Sequence, residues 1–151
     1  MEEIERKFLM KDVGFKWPTG KKIKQWYLLV QDNAEIRIRE VDKTRYFLTC
    51  KIGSGISREE YETEISKEKF LKLYALDRYA PCVTKTRYKV GRWEIDVYEN
   101  KYGDDVIVGE VELDRMFESL PEVPEGLKIV KEITYDERWK NKNIAQYGIP
   151  K

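Results

Sequence analysis

Charged side chains recur at every second residue through this chain. Glu3, Glu5 and Lys7 open it, followed by Arg37 and Arg39, Lys51, Glu62 and Glu64, Lys85 and Arg87, Glu94 and Asp96, and Glu110 and Glu112. In an extended strand that spacing puts each set on one face. The sets are sorted by sign, some basic and some acidic. Arginine and lysine bind phosphate oxygens, and carboxylates hold hard cations, so this sorting suits a site that grips a polyanion from some walls and a cation from others. Histidine is absent. That removes the Ser-His-Asp and Cys-His nucleophile systems, a histidine base and histidine-ligated zinc. Any catalysis falls to carboxylates, lysines, arginines and tyrosines, and any metal to oxygen ligands, which favours Mg²⁺ or Mn²⁺.

Extended segments must position these residues. Strands are expected over 3–9, 23–30, 35–40, 45–51, 58–65, 83–90, 93–98 and 106–113, with a last short one near 127–130. Glycine, proline, asparagine and aspartate punctuate the connections, as in Val13–Gly20 and Gln31-Asp32-Asn33. Ser66 reads as the cap of a helix over 67–76, with Phe70, Leu71, Leu73 and Tyr74 at helical spacing. A short helix is expected around 114–119 and a terminal one over 135–146. Trp17, Trp26, Trp93 and Trp139 read as packing groups, since none sits in a basic-aromatic repeat. Cys50 reads as a small apolar residue on the face away from Lys51. Gly53-Ser54-Gly55 lacks the Gly-Lys-Ser/Thr that opens a phosphate-binding loop.

The bulk numbers narrow the classes. The 151 residues suggest a single domain, 1–151, with room for a substantial core. With 29 basic and 28 acidic residues the net charge is +1, without the one-signed excess of a nucleic-acid or membrane-surface protein. No apolar run approaches a membrane span, and two cysteines are few for a secreted disulfide scaffold, so a cytoplasmic protein is expected. Two arrangements fit the alternation. A sheet can pack its apolar face on helices and show its charges to water, or it can close into a barrel with a charged lumen. The pattern alone leaves both open.

The run Glu3-x-Glu5-x-Lys7 resembles the ExExK signature of the CYTH superfamily, the triphosphate tunnel metalloenzymes. Gln25-Trp26-Tyr27-Leu28, Arg37-Ile38-Arg39, Lys51, Tyr61-Glu62-Thr63-Glu64, Lys85-Thr86-Arg87, Glu94-Ile95-Asp96 and Gly109-Glu110-Val111-Glu112 follow in that family's order. The resemblance implies a mainly β, α+β fold: a closed antiparallel barrel of about eight strands, with a charged lumen and helices outside. It implies a metal-dependent hydrolase that cleaves the terminal phosphoanhydride of tripolyphosphate or of nucleoside triphosphates such as ATP or GTP, with Mg²⁺ or Mn²⁺. Triphosphate would be bound by Lys7, Arg37, Arg39, Lys51, Lys85 and Arg87. Metal would be held by Asp96, Glu110 and Glu112, with Glu3, Glu5 and Glu62 as the place for a second ion or a water. Lys85, Glu5 and Glu62 are the candidates for catalysis, while Glu64, Glu94 and Tyr27 stay unassigned. Adenylate cyclase and thiamine triphosphatase are the alternatives within the superfamily, and a non-catalytic polyphosphate or nucleotide sensor is the alternative outside it. Neither a membrane nor a nucleic-acid partner is expected, and a homodimer is left open.

Overall fold

The computed structural model of the chain describes residues 4–53, 59–114 and 118–151. Its elements are β1 (Ile4–Asp12), β2 (Lys21–Gln31), β3 (Ala34–Val41), β4 (Arg45–Ile52), β5 (Glu59–Ile65), α1 (Lys67–Tyr74), β6 (Cys82–Val90), β7 (Trp93–Tyr98), β8 (Val106–Leu113), β9 (Leu127–Glu132), a 3-10 turn (Glu137–Trp139) and α2 (Asn141–Tyr147). They fall into two compact units. The first is Met1–Lys21 with Lys85–Glu137, and the second is Lys22–Thr84 with Arg138–Lys151.

In the first unit β6, β7, β8, β1 and β9 pair in that order, all antiparallel. The register sets Lys7 opposite Glu110, Glu5 opposite Glu112, Glu94 opposite Glu110 and Arg87 opposite Asp96. Directly paired residues share a face, so these ionic groups form one surface. The other face is apolar. Phe8, Met10, Trp93, Ile95, Val111, Leu113 and Leu127 form its buried cluster, with Trp17 and Tyr88 packed against it. The chain bends beside this cluster where β1 ends. Asp12 holds the bend, accepting from Gly14 N and Phe15 N and from Trp17 Nε1.

In the second unit β5, β4, β3 and β2 pair in order, again antiparallel. Arg37 and Arg39 share a face with Gln25, Tyr27, Thr49 and Lys51. Ile38, Tyr46 and Phe70 form the core on the opposite face, packed by Trp26, Leu28, Leu48, Ile65, Leu73 and Tyr74. The helix α1 therefore lies on the apolar side, as its spacing required. Ser66 caps it, accepting from Lys69 N at 3.2 Å. The aromatic interlock of Trp26, Phe70 and Tyr74, with centroids 5.4–6.4 Å apart, is the helix's anchor.

Two expectations need correction. The described residues hold the nine strands expected along the chain, but their ladders do not close into a barrel, since β5 and β9 each have one strand neighbour among the described residues. The terminal helix is shorter than 135–146, because extended backbone at Lys140 separates the 3-10 turn from α2. Half of the helix expected over 114–119, residues 115–117, lies outside the described residues, and 118–120 carry no regular structure.

Candidate functional site

The ionic face of the first unit divides into a cation cluster and an acid cluster. Lys85 has no exposed surface and Asp96 only 4%. Lys85 Nζ lies 2.9 Å from Asp96 Oδ2, while Arg87 donates through Nε to Oδ1 at 2.9 Å and through Nη2 to Oδ2 at 3.0 Å. Burial pushes the Asp96 carboxyl up, but Lys85 and Arg87 outweigh it and hold the group below the ordinary aspartate range. Arg87 also reaches Glu94 at 3.1 Å. Lys85 rests 5.3 Å from the centre of the Tyr98 ring, a cation–π contact beneath the ion pair.

The acid cluster lines a cleft of about 240 Å³ bounded by Glu5, Glu94, Glu110, Glu112, Lys89 and Arg92, among others. Although part of Glu5 faces solvent, its carboxyl is pushed up to about 8. The hydrogen bond with Glu110 is the largest cause, followed by burial and the Glu110 charge, with Lys7 pulling the other way. Lys7 Nζ stands 3.8 Å from Glu110. A proton shared between two carboxyl groups is one way for like charges to coexist at short range. A divalent cation between them is another, and the all-oxygen donor set suits Mg²⁺ or Mn²⁺. Among the described residues no three acidic side chains are gathered tightly enough to enclose an ion. That agrees with a cation held by one or two carboxylates and completed by substrate oxygens and water.

The second unit carries a buried basic face. Arg39 donates through Nε to Gln25 Oε1 at 2.8 Å. Arg37 Nη1 lies 3.7 Å from Glu35, and Arg37 Nε is buried with no hydrogen-bond partner among the described residues. An orphaned guanidinium nitrogen inside a protein costs free energy unless something occupies it, and an anion is the natural occupant. Lys51, Glu35 and Lys142 of α2 line a small hollow of about 20 Å³.

Residues 1–147 match the family model described as the CYTH domain. The chain belongs to the CYTH family. Its relatives include the inorganic triphosphatase of Nitrosomonas europaea, 35% identical over 96% of this chain and 97% of that protein. The inorganic triphosphatase of Acetivibrio thermocellus is 27% identical over 96% of this chain and 94% of its own. A crystal structure of an inorganic triphosphatase superposes with a TM-score of 0.64 at 31% identity, covering 94% of this chain and 96% of that one.

The CYTH motif residues are thus distributed over both units. Lys7, Lys85, Arg87, Glu5, Glu94, Asp96, Glu110 and Glu112 stand on the ionic face of the first, and Tyr27, Arg37, Arg39, Lys51, Glu62 and Glu64 on that of the second. Glu3 lies outside the described residues. Asp96 is paired with Lys85 and Arg87. Glu62 is exposed on β5, and Glu64 pairs with Arg45 at 2.6 Å in solvent. The sequence alone assigned no role to Gln25 and Thr49, buried polar groups with 0% and 2% exposure, or to Glu35 and Lys142. The signal for Gln25 was present: it alternates with Trp26 on β2, so it shares the face of Tyr27.

Proposed function

We propose that this CYTH chain hydrolyses the terminal phosphoanhydride of inorganic triphosphate with the help of Mg²⁺ or Mn²⁺, residues 1–151 acting as one functional domain. The family match over 1–147 and the full-length relatives support the reading. The observation that carries it is the Glu5–Glu110 carboxyl pair beside Lys7. Acids in contact weaken a pure anion receptor, and they make sense where a cation joins the substrate.

Glu110 and Glu112 would hold the ion, with Glu5 beside them, and the ion when bound would polarise phosphoryl oxygens and neutralise their charge. Arg37, Arg39, Lys7, Lys51, Lys85 and Arg87 would bind the phosphate oxygens, arginine in forked pairs. Asp96 would fix the positions of Lys85 and Arg87, so that Arg87 meets the substrate in one geometry. Water attacks the terminal phosphorus in line, the bridging P–O bond breaks, and diphosphate leaves with the bond's electron pair. Glu5 and Glu62 are the groups proposed to orient that water and accept its proton. The basic residues offset the charge that builds on the leaving oxygen.

Phosphate release from tripolyphosphate, ATP and thiamine triphosphate, with Mg²⁺, with Mn²⁺ and with EDTA, tests the reading. Metal-dependent release that is greatest with tripolyphosphate is expected. Silence on all three substrates favours a sensor, and cyclic AMP from ATP favours a cyclase. Arg39→Ala and Glu112→Ala should each abolish turnover with the fold intact.

A further inference from the structure

Gln25 has no exposed surface, and a buried amide is costly unless both its ends are paired. Both are. Its Oε1 accepts from Arg39 Nε at 2.8 Å, and its Nε2 lies 2.6 Å from the Tyr27 hydroxyl. The first bond determines the second. A guanidinium only donates, so the amide oxygen must face Arg39 and the NH₂ must face Tyr27. An NH₂ group also only donates, so the phenol oxygen is the acceptor and its own hydrogen points elsewhere.

Tyr27 is 2% exposed and sits directly opposite Arg37 across the β2–β3 ladder. The structure gives its hydrogen no acceptor among the described residues, and Arg37 beside it has only donors to offer. A buried hydroxyl hydrogen without an acceptor stands next to a buried guanidinium nitrogen without one. Both lack the same thing, an oxyanion. We infer that Gln25 is a positioning residue: by occupying the acceptor side of the Tyr27 hydroxyl it makes Tyr27 a hydrogen-bond donor to a phosphate oxygen of the substrate. The inference rests on the proposed function, because that supplies the anion. The competing reading is that Gln25 only fills space and satisfies Arg39.

Gln25→Glu separates the two. The new carboxylate keeps the size and the acceptor for Arg39 but offers Tyr27 an acceptor in place of a donor, which turns the phenol hydrogen inward. Affinity for inorganic tripolyphosphate is measured by calorimetry in EDTA, where no turnover occurs, for wild type, Tyr27→Phe, Gln25→Glu and the double variant. Tyr27→Phe should weaken binding about tenfold, the loss of one hydrogen bond to a charged group. Gln25→Glu should weaken it at least as much, and adding Tyr27→Phe to it should change affinity by less than about twofold, because the donor is already lost. Equal cost of Tyr27→Phe in both backgrounds, or no cost in either, overturns the inference while leaving the proposed function standing. A wild type that neither binds tripolyphosphate in EDTA nor releases phosphate from it with Mg²⁺ overturns the proposed function and this inference with it, and one that releases phosphate yet does not bind in EDTA overturns the inference alone. Should Gln25→Glu not fold, by circular dichroism, the same cycle with Gln25→Met applies. There the cost of Tyr27→Phe should fall at least about threefold, since nothing aims the hydroxyl, and an unchanged cost again overturns the inference.

Discussion

Replacing Asp96 by asparagine tests the buried ion cluster most directly. The carboxylate is 4% exposed and receives Lys85 at 2.9 Å and two donors from Arg87 at 2.9 and 3.0 Å. Asparagine fills the same volume but removes the charge that faces a lysine of 0% exposure. Removing one member of a buried pair costs about 3–5 kcal/mol, because the other charge stays desolvated. Arg87 keeps Glu94 at 3.1 Å and asparagine retains one acceptor oxygen, which places the expectation near the lower end, about 3 kcal/mol. At about 2–4 °C per kcal/mol for a chain of this size, Tm should fall on the order of 10 °C. Urea unfolding at pH 7 reads the difference. Because the folded carboxyl titrates below the ordinary aspartate value, its contribution is present above that value and lost as pH falls through the lower one. The gap between wild type and Asp96→Asn should therefore be flat from about pH 5 to 8 and narrow only below about pH 4. Adding Lys85→Met should recover most of the loss, as replacing both members of a buried pair often does. A loss under about 1 kcal/mol, or a gap that changes between pH 5 and 8, would refute the account.

Glu110→Gln breaks the carboxyl pair, and Mg²⁺ should then no longer raise Tm, whereas wild type at about one hundred times Kd gains about 2.7 kcal/mol; thermal melts with and without the ion decide. Gly126 has φ +91° and a side chain there would start 2.5 Å from Phe15 Cα and N, so Gly126→Ala should cost about 2–5 kcal/mol in urea. Gly109→Ala meets only the flexible end of Met10 first and should cost less, about 1 kcal/mol. Arg6→Ala removes a forked pair with Glu132 at 2.7 and 2.9 Å, but in solvent, and should cost under about 1 kcal/mol by the same assay.

Much of this was legible in the sequence because alternation is a local signal. Glu5 and Lys7, Glu94 and Asp96, and Glu110 and Glu112 each declared a shared face before any pairing was known, and antiparallel register then lined them up. The cap at Ser66 was equally local. What alternation could not show is which partner each charge takes. Asp96 looks like Glu110 in sequence, yet the register of β6 on β7 brings Lys85 and Arg87 onto it and leaves Glu110 to Glu5. Gln25 and Thr49 were passed over for another reason. Uncharged polar residues are ordinary on solvated strands, and only their burial makes them informative.

The outermost strand of the second unit has a consequence of its own. β5 has a single neighbour among the described residues, and it sets Glu59, Glu60, Glu62 and Glu64 along that margin, all exposed. An unpaired margin is a template on which another chain can add a strand and start aggregation. Here any like copy approaching in register would bring its own row of glutamates, and mutual repulsion in water discourages the match. The acids that the sequence offers to chemistry thus also keep neighbouring molecules apart.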